Sequence, residues 1–192
     1  MKTWFTSDLH FGHDKEFLWG PRGFSSSKEN DETIIERFNS VVSDEDEVYI
    51  LGDLMLGDNE YGKSCVNRLK GNIHIILGNH DTNARVNEYM EMTKIKSIQF
   101  ADMRKYGKCH FYLSHYPALT ANYDDKPYHQ HVISLFGHTH QKDKFYDNNP
   151  YMYHVGVDSH NCYPVEIDTI IEDIKQKKCE INNERMKHQF DN

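Results

Sequence analysis

The stretch that most constrains this chain is Ile73-His74-Ile75-Ile76-Leu77 followed by Gly78-Asn79-His80-Asp81. A short apolar run of this kind reads as a buried strand, and the glycine after it permits a sharp turn. The strand therefore delivers an amide, an imidazole and a carboxylate to its end. Alone, this is a turn with polar residues. It gains meaning because four other strand-like runs end in a comparable way. Lys2–Ser7 leads into Asp8-Leu9-His10, Glu47–Leu51 into Gly52-Asp53, Cys109–Ser114 into His115, and His131–Phe136 into Gly137-His138-Thr139-His140.

Helical patterns lie between these runs. Ile34, Ile35, Phe38, Val41 and Val42 recur at helical spacing and predict a helix from Glu29 to about Val42, with acidic residues in its first turn. A second helix is expected over Glu60–Lys70, with Tyr61, Cys65 and Leu69 on one face, and a third over Arg85–Met92. Asp147-Asn148-Asn149-Pro150 signals a turn and predicts a hairpin between Lys144–Tyr146 and Tyr151–Val157. Pro164–Ile167 reads as a last strand, and Asp168–Lys178 as a last helix whose polar end after Glu180 frays. The acidic run Asp44–Glu47 reads as a solvated turn. The segment from Phe11 to about Ser27 reads as a loop. Tyr116–Gln130, with Tyr123, Asp124, Asp125, Lys126 and His129, reads as a long surface loop. Alternating strands and helices indicate an α/β layered fold, expected as one domain over residues 1–192. In such folds ligands sit beyond the carboxyl ends of the strands.

Composition narrows the function. The formal net charge of −8 argues against a broad basic surface holding nucleic acid. It leaves room for a phosphate substrate, because bound cations invert the local field. Cys65, Cys109, Cys162 and Cys179 are widely spaced and form no C-x-x-C pair, which suits free thiols in a reducing compartment. The N-terminus meets Asp8 too early for the apolar region of a signal peptide, and no run approaches the roughly 18 apolar residues of a membrane span. A cytoplasmic protein without membrane contact is expected. The 13 histidines form no tract, so their positions carry the argument.

Collected, the strand ends supply Asp8, His10, Asp53, Asn79, His80, His115, His138 and His140. Asp8 and His10, two apart in an extended segment, would face one ion together. Nitrogen and oxygen donors without thiolate suit Mn²⁺, Fe or Zn²⁺. The donors are too many for one four-coordinate ion and suit two ions sharing a carboxylate. Two ions about 3.5–4 Å apart are the usual arrangement for in-line attack on a phosphorus ester. Taken singly, each residue reads as an ordinary polar group at a strand end. As a set they agree in ligand type, order and location.

In order and spacing, Asp8-x-His10, Gly52-Asp53, Gly78-Asn79-His80-Asp81, His115 and Gly137-His138-Thr139-His140 resemble the motif set of calcineurin-like metallophosphoesterases of the small single-domain microbial type. The resemblance implies a β-sandwich flanked by helices in four αββα layers. It implies that Asp8, His10 and His140 hold one metal, that Asn79, His115 and His138 hold another, and that Asp53 bridges them. Two divalent ions are implied, manganese foremost, with iron, zinc, nickel or cobalt as alternatives. A hydroxide between them would attack phosphorus, His80 would serve as the non-ligand acid, and Asp81 is placed to orient His80. The expected activity is hydrolysis of a phosphate diester or monoester, on a small nucleotide-like substrate, without a stable nucleic-acid complex. The rivals are a protein phosphatase or nuclease of the same superfamily, a non-catalytic metal-binding scaffold, and a metal-storage or regulatory protein. His13 and Arg22 either meet substrate phosphate or lie on the surface. Asn161 and Tyr163 could line the cleft, and His74 is expected as a satisfied core or edge residue.

Overall fold

The computed structural model describes residues 1–120 and 131–190. In chain order its elements are β1 (Thr3–Thr6), α1 (Glu16–Trp19), α2 (Ser27–Val41), β2 (Glu47–Leu51), α3 (Asn59–Arg68), β3 (Asn72–Ile76) and α4 (Asn83–Glu91). There follow β4 (Ile95–Gln99), β5 (Ala101–Tyr106), β6 (Cys109–Ser114), β7 (Val132–Phe136), β8 (Met152–His154), β9 (Val165–Glu166) and α5 (Ile167–Phe190). One sheet has the order β4-β3-β2-β1-β9, the other β5-β6-β7-β8. β1 to β4 run parallel, as do β6 to β8, so most strands end on the same side of their sheet.

Strand alternation explains the layers. Along β2, Tyr49 and Leu51 face inward and Val48 and Ile50 face outward. The inward set joins Phe5 and Ile76 and meets Phe111, Leu113, Ile133, Leu135 and Tyr153 of the second sheet. The outward set joins Ile73 and Ile75 beneath Ile34, Ile35 and Phe38 of α2, Val66 of α3 and Tyr89 of α4. A strand covered on both faces reads as a continuous apolar run, which is why β2 and β3 were legible. Helix α5 runs against β9 and β1 and drives Ile170 and Ile174 into the inter-sheet cluster. The result is the expected α/β sandwich of two sheets flanked by helices. Among the described residues, no helix is long and apolar enough to cross a membrane.

Several elements depart from the sequence reading. Helix α2 begins earlier than expected because Ser26 Oγ accepts from Glu29 N at 3.1 Å and caps it. Strands β4 and β5 and the single-turn α1 fall where no element was expected. Ile95 and Ile98 are three apart and show no strand alternation. A register shift in the β3–β4 pairing turns both towards the outer cluster. The expected hairpin shrinks to one bridge, Phe145 to Tyr153, because Asp147 and Asn148 adopt left-handed φ of 48° and 58° within a short 3-10 turn. Asp46 is no solvated turn residue: it is buried and accepts from Lys2 N, Trp4 Nε1 and Ser43 N. Helix α5 continues well past Glu180. His74 is satisfied as expected, by Ser97 Oγ at 2.7 Å and Glu47 Oε2 at 2.5 Å. Tyr123, Asp124, Asp125, Lys126 and His129 lie outside the described residues.

Two histidines with no role at the strand ends make stability depend on pH. His154 is fully buried, and His160 Nε2 lies 2.9 Å from the His154 carbonyl oxygen, to which it donates. Burial holds both neutral, lowering His154 to about 3 and His160 to about 4 from 6.5. Below pH 6.5 the unfolded chain takes up protons that the folded chain refuses. Their contribution is therefore complete above pH 6.5 and is lost as pH falls towards 4. We expect the thermal midpoint to fall from pH 6.5 to pH 5, and to fall less steeply in His160→Gln. Equal slopes in the two proteins would remove His160 from the account.

Candidate metal centre

The five predicted strand ends meet at one edge of the sandwich. The turns after β1 and β2 run side by side, with Asp8 N donating to Gly52 O at 3.1 Å and His10 N to Asp53 O at 3.0 Å. Asp8, His10, Asp53, His138 and His140 all adopt left-handed backbone, with φ of 58°, 50°, 55°, 67° and 48°. Asp8 and His10 therefore do not share a side as neighbours in an extended strand. They converge because two left-handed residues curl the chain back on itself. Aspartate and histidine are among the few side chains that tolerate this region. Glycine is required nearby for a different reason. A side chain on Gly52, itself at φ +92°, would strike the His115 ring, and one on Gly137 would strike Ser7 Oγ and Asp8 Oδ2.

Two donor groups result. His10 Nε2 lies 3.3 Å from His140 Nε2, and Asp8 Oδ1 lies 3.9 Å and 3.8 Å from these two nitrogens. Asn79 Oδ1 lies 2.9 Å from His115 Nε2 and 3.0 Å from His138 Nδ1. Asp53 Oδ2 stands between the groups, 3.7 Å from His10 Nε2 and 3.5 Å from His115 Nε2. Ligand atoms of Asp8, His10 and His140 all lie within 4.8 Å of one another, as do those of Asp8, Asp53 and His115.

Two imidazoles of the cluster each commit one ring nitrogen to a partner outside it. His115 Nδ1 donates to Leu51 O at 2.9 Å, which turns its Nε2 towards the Asn79 and Asp53 oxygens. His140 Nδ1 donates to Asp158 Oδ2 at 2.9 Å, which turns its Nε2 towards His10. Burial, reinforced by the cationic neighbours His140 and Arg22, lowers His10 to about 2 and keeps it neutral. Burial alone would favour a neutral Asp8, which His140 and His115 oppose, and the net displacement of its pKa is upward. Carboxylate, amide and imidazole lone pairs that converge in this way suit a cation among them. The donor set thus fits divalent metal, with oxygen and nitrogen ligands and no thiolate.

Sequence reasoning missed the outer support. Asp158 follows β8 as the other polar residues follow their strands, and that pattern was available in Tyr151–Val157. Its carboxylate accepts a hydrogen bond from His140 Nδ1 and pairs with Arg22, Nε to Oδ1 at 2.9 Å and Nη2 to Oδ2 at 3.1 Å. Arg22 is neither a surface residue nor free for substrate phosphate. Its side chain is 3% exposed and also donates to Asp8 O at 2.9 Å and Asn30 Oδ1 at 3.2 Å. Burial works against the Asp158 charge, but the His140 hydrogen bond and the Arg22 guanidinium hold its carboxyl well below the usual range. His140 is raised: burial opposes its charge, and Asp158 and Asp8 outweigh burial.

Asp81 is corrected. Its carboxylate does not orient the His80 ring. It accepts from Asp53 N at 2.9 Å, Gly78 N at 2.8 Å and Tyr89 OH at 2.7 Å, and so fixes the β2 and β3 turns against each other. His80 is held through its backbone, which donates to Asp53 Oδ1 at 2.9 Å, while its ring is 43% exposed with Nε2 4.0 Å from Asp53 Oδ2. Asn161 and Tyr163 turn instead to Arg37 of α2.

Fold and centre together describe an α/β sandwich with a nitrogen-and-oxygen donor cluster at the carboxyl ends of its strands. The chain belongs to the calcineurin-like phosphoesterase superfamily, whose domain model matches residues 1–160. The uncharacterized protein MJ1445 of Methanocaldococcus jannaschii is 32% identical over 183 residues, covering 92% of this chain and 93% of that protein. The gene 66 protein of Mycobacterium phage D29 is 27% identical over 199 residues, covering 91% of this chain and 98% of that protein. The solved structure of AQ665 from Aquifex aeolicus, a protein of unknown function, shares the fold with a TM-score of 0.66 at 20% identity, covering 89% of this chain and 98% of that chain.

The Arg22–Asp158 pair predicts a measurable effect on metal. Asp158→Asn removes the charge that fixes the His140 tautomer. We expect about 10–100-fold weaker binding of Mn²⁺ by titration calorimetry. Affinity equal to that of the unaltered protein would show that the pair is structural only.

Proposed function

We propose that the protein is a two-metal phosphoesterase acting on a small, nucleotide-like phosphate diester or monoester. The observation that carries this reading is the place of Asp53. Its Oδ2 lies 3.7 Å from His10 of one donor group and 3.5 Å from His115 of the other, where one carboxylate can serve two ions. Asp8, His10 and His140 would hold the first ion, and Asn79, His115 and His138 the second, with manganese the first metal to test. Such ions supply Lewis acidity for phosphoryl oxygens and lower the pKa of a nearby water.

The remaining work falls to residues of the chain. His80 has a solvent-facing ring that makes no hydrogen bond among the described residues, beside a centre whose other imidazoles are engaged. Its Nε2 can carry a proton to a leaving oxygen. Asp81 acts on this step only through the turn that carries Asn79 and His80. The net charge of −8 favours a small substrate over a long nucleic-acid strand. A complete donor set with a spare histidine also weighs against a non-catalytic scaffold.

Hydrolysis of a nitrophenyl phosphodiester and the matching monoester, with Mn²⁺ and with chelator, tests the proposal. We expect turnover only with metal. His80→Ala should lose about 10²–10⁴-fold in kcat while still binding two ions. Asp53→Ala should lose both turnover and one ion. Turnover that survives the chelator, or that His80→Ala leaves unchanged, would sink this mechanism.

A further inference from the structure

Two exposed aromatic rings stand at opposite ends of the row of imidazoles. At one end Phe17 is 73% exposed, although its neighbour Leu18 in the same turn of α1 is buried. The Phe17 ring meets His13 edge-on at 5.3 Å between centroids, and His13 meets His10 in the same way at 6.1 Å. At the other end Tyr116 is 51% exposed, with its ring 4.7 Å from His138 and 5.1 Å from His115. Asp53 lies between the two halves. The order along the row is therefore Phe17, His13, His10, Asp53, then His115 and His138, then Tyr116. Charge and hydrogen-bonding capacity occupy the middle, and carbon faces occupy both ends.

The backbone that carries each ring is anchored. Leu18 anchors α1 in the core, and Leu18 N donates to Lys15 O at 3.1 Å. Ser114 Oγ donates to Tyr116 O at 2.7 Å and fixes the turn that carries the second ring. A phosphate group alone uses neither ring, since its partners lie in the middle of the row. A phosphate diester, however, extends an organic arm on each side of phosphorus. An apolar face beside a charged centre is satisfied by a flat group that covers it, and every nucleobase offers such a face.

We infer that Phe17 and Tyr116 are specificity-determining residues that stack the flat heteroaromatic ring of a nucleotide ester, and that the substrate is a diester whose arms run towards these two rings. The inference rests on the phosphoesterase reading for its chemistry but not for its binding geometry. The same net charge of −8 that disfavours a long strand leaves a short nucleotide diester as the fitting size.

Two esters with the same leaving group test it: the nitrophenyl ester of thymidine 5′-monophosphate and methyl nitrophenyl phosphate. With Mn²⁺, the KM for the nucleoside ester should be about tenfold lower, the worth of one modest stack. Phe17→Ala, Tyr116→Ala or both should shrink that ratio several-fold, according to which ring the single base of this probe covers, whereas Tyr116→Phe should keep it. Thermal midpoints confirm that each variant folds, and Phe17, being exposed, gives a variant whose folding is not at risk. A second readout needs no turnover: calorimetric binding of thymidine 5′-monophosphate against methyl phosphate to the Mn²⁺-loaded protein. Preference for the nucleotide that at least one alanine variant weakens upholds the inference, even if neither ester is hydrolysed and the phosphoesterase reading fails. No preference in the unaltered protein, or one that neither variant changes, overturns it.

Discussion

The burial of Asp8 is the constraint on which the rest of the centre depends. Its carboxylate is fully shielded from solvent, and a buried charge is costly unless it is paired and hydrogen-bonded. Ser7 Oγ donates to Asp8 Oδ2 at 2.6 Å, and His138 N donates to the same oxygen at 2.9 Å. The second bond ties the end of β1 in one sheet to the turn after β7 in the other. A parallel bridge between Ser7 and Gly156 joins the sheets again beside the same residue. The site is thus not laid on a finished sandwich. The contacts that position its first carboxylate are also contacts that close the two sheets at this edge.

A chain of buried polar groups carries this order outward. Arg22 grips Asp158 and the Asp8 carbonyl, and Asn30 at the start of α2 accepts from Arg22. Asn30 also donates to Asp31 Oδ1 at 2.9 Å, and Asp31 Oδ2 accepts from Gly12 N at 3.0 Å. The long segment after His10 is therefore bound at several points to the first turn of one helix. Removing one member of a buried pair costs more than the pair contributes, because the other charge is left alone. On the opposite side Asp81 and Tyr89 hold the β2 and β3 turns. Left-handed backbone at five centre residues, of order 1–3 kcal/mol each in sparsely populated regions, persists only where surroundings over-determine it. Two flanking networks of this kind supply that restraint.

What was legible in the sequence followed from periodicity and position. β2, β3, β6 and β7 were readable because buried strands leave apolar runs, and α2 because Ile34, Ile35 and Phe38 recur at helical spacing. The polar residues after those runs were readable as one set because parallel strands deliver their ends to one edge. β4 was not readable, since a register shift let Ile95 and Ile98 face one core at a spacing that no regular strand would use. Asp46 looked solvated because a run of acids carries no mark of the amide and indole donors that would bury one of them.

The sequence by itself determined the α/β class and which polar residues follow the buried strands. Those follow from local periodicity and from the chemistry of side chains placed just after strands. Only the tertiary structure decided which partner each side chain takes. It sent Asp81 to the backbone of Asp53 and Gly78 rather than to His80, and it brought Arg22 across 136 positions of sequence to Asp158. It also set Asp8 and His10 in left-handed turns. The reason is common to all three. A hydrogen bond between distant residues depends on how loops fold back over a finished core, and no periodicity in the chain records that.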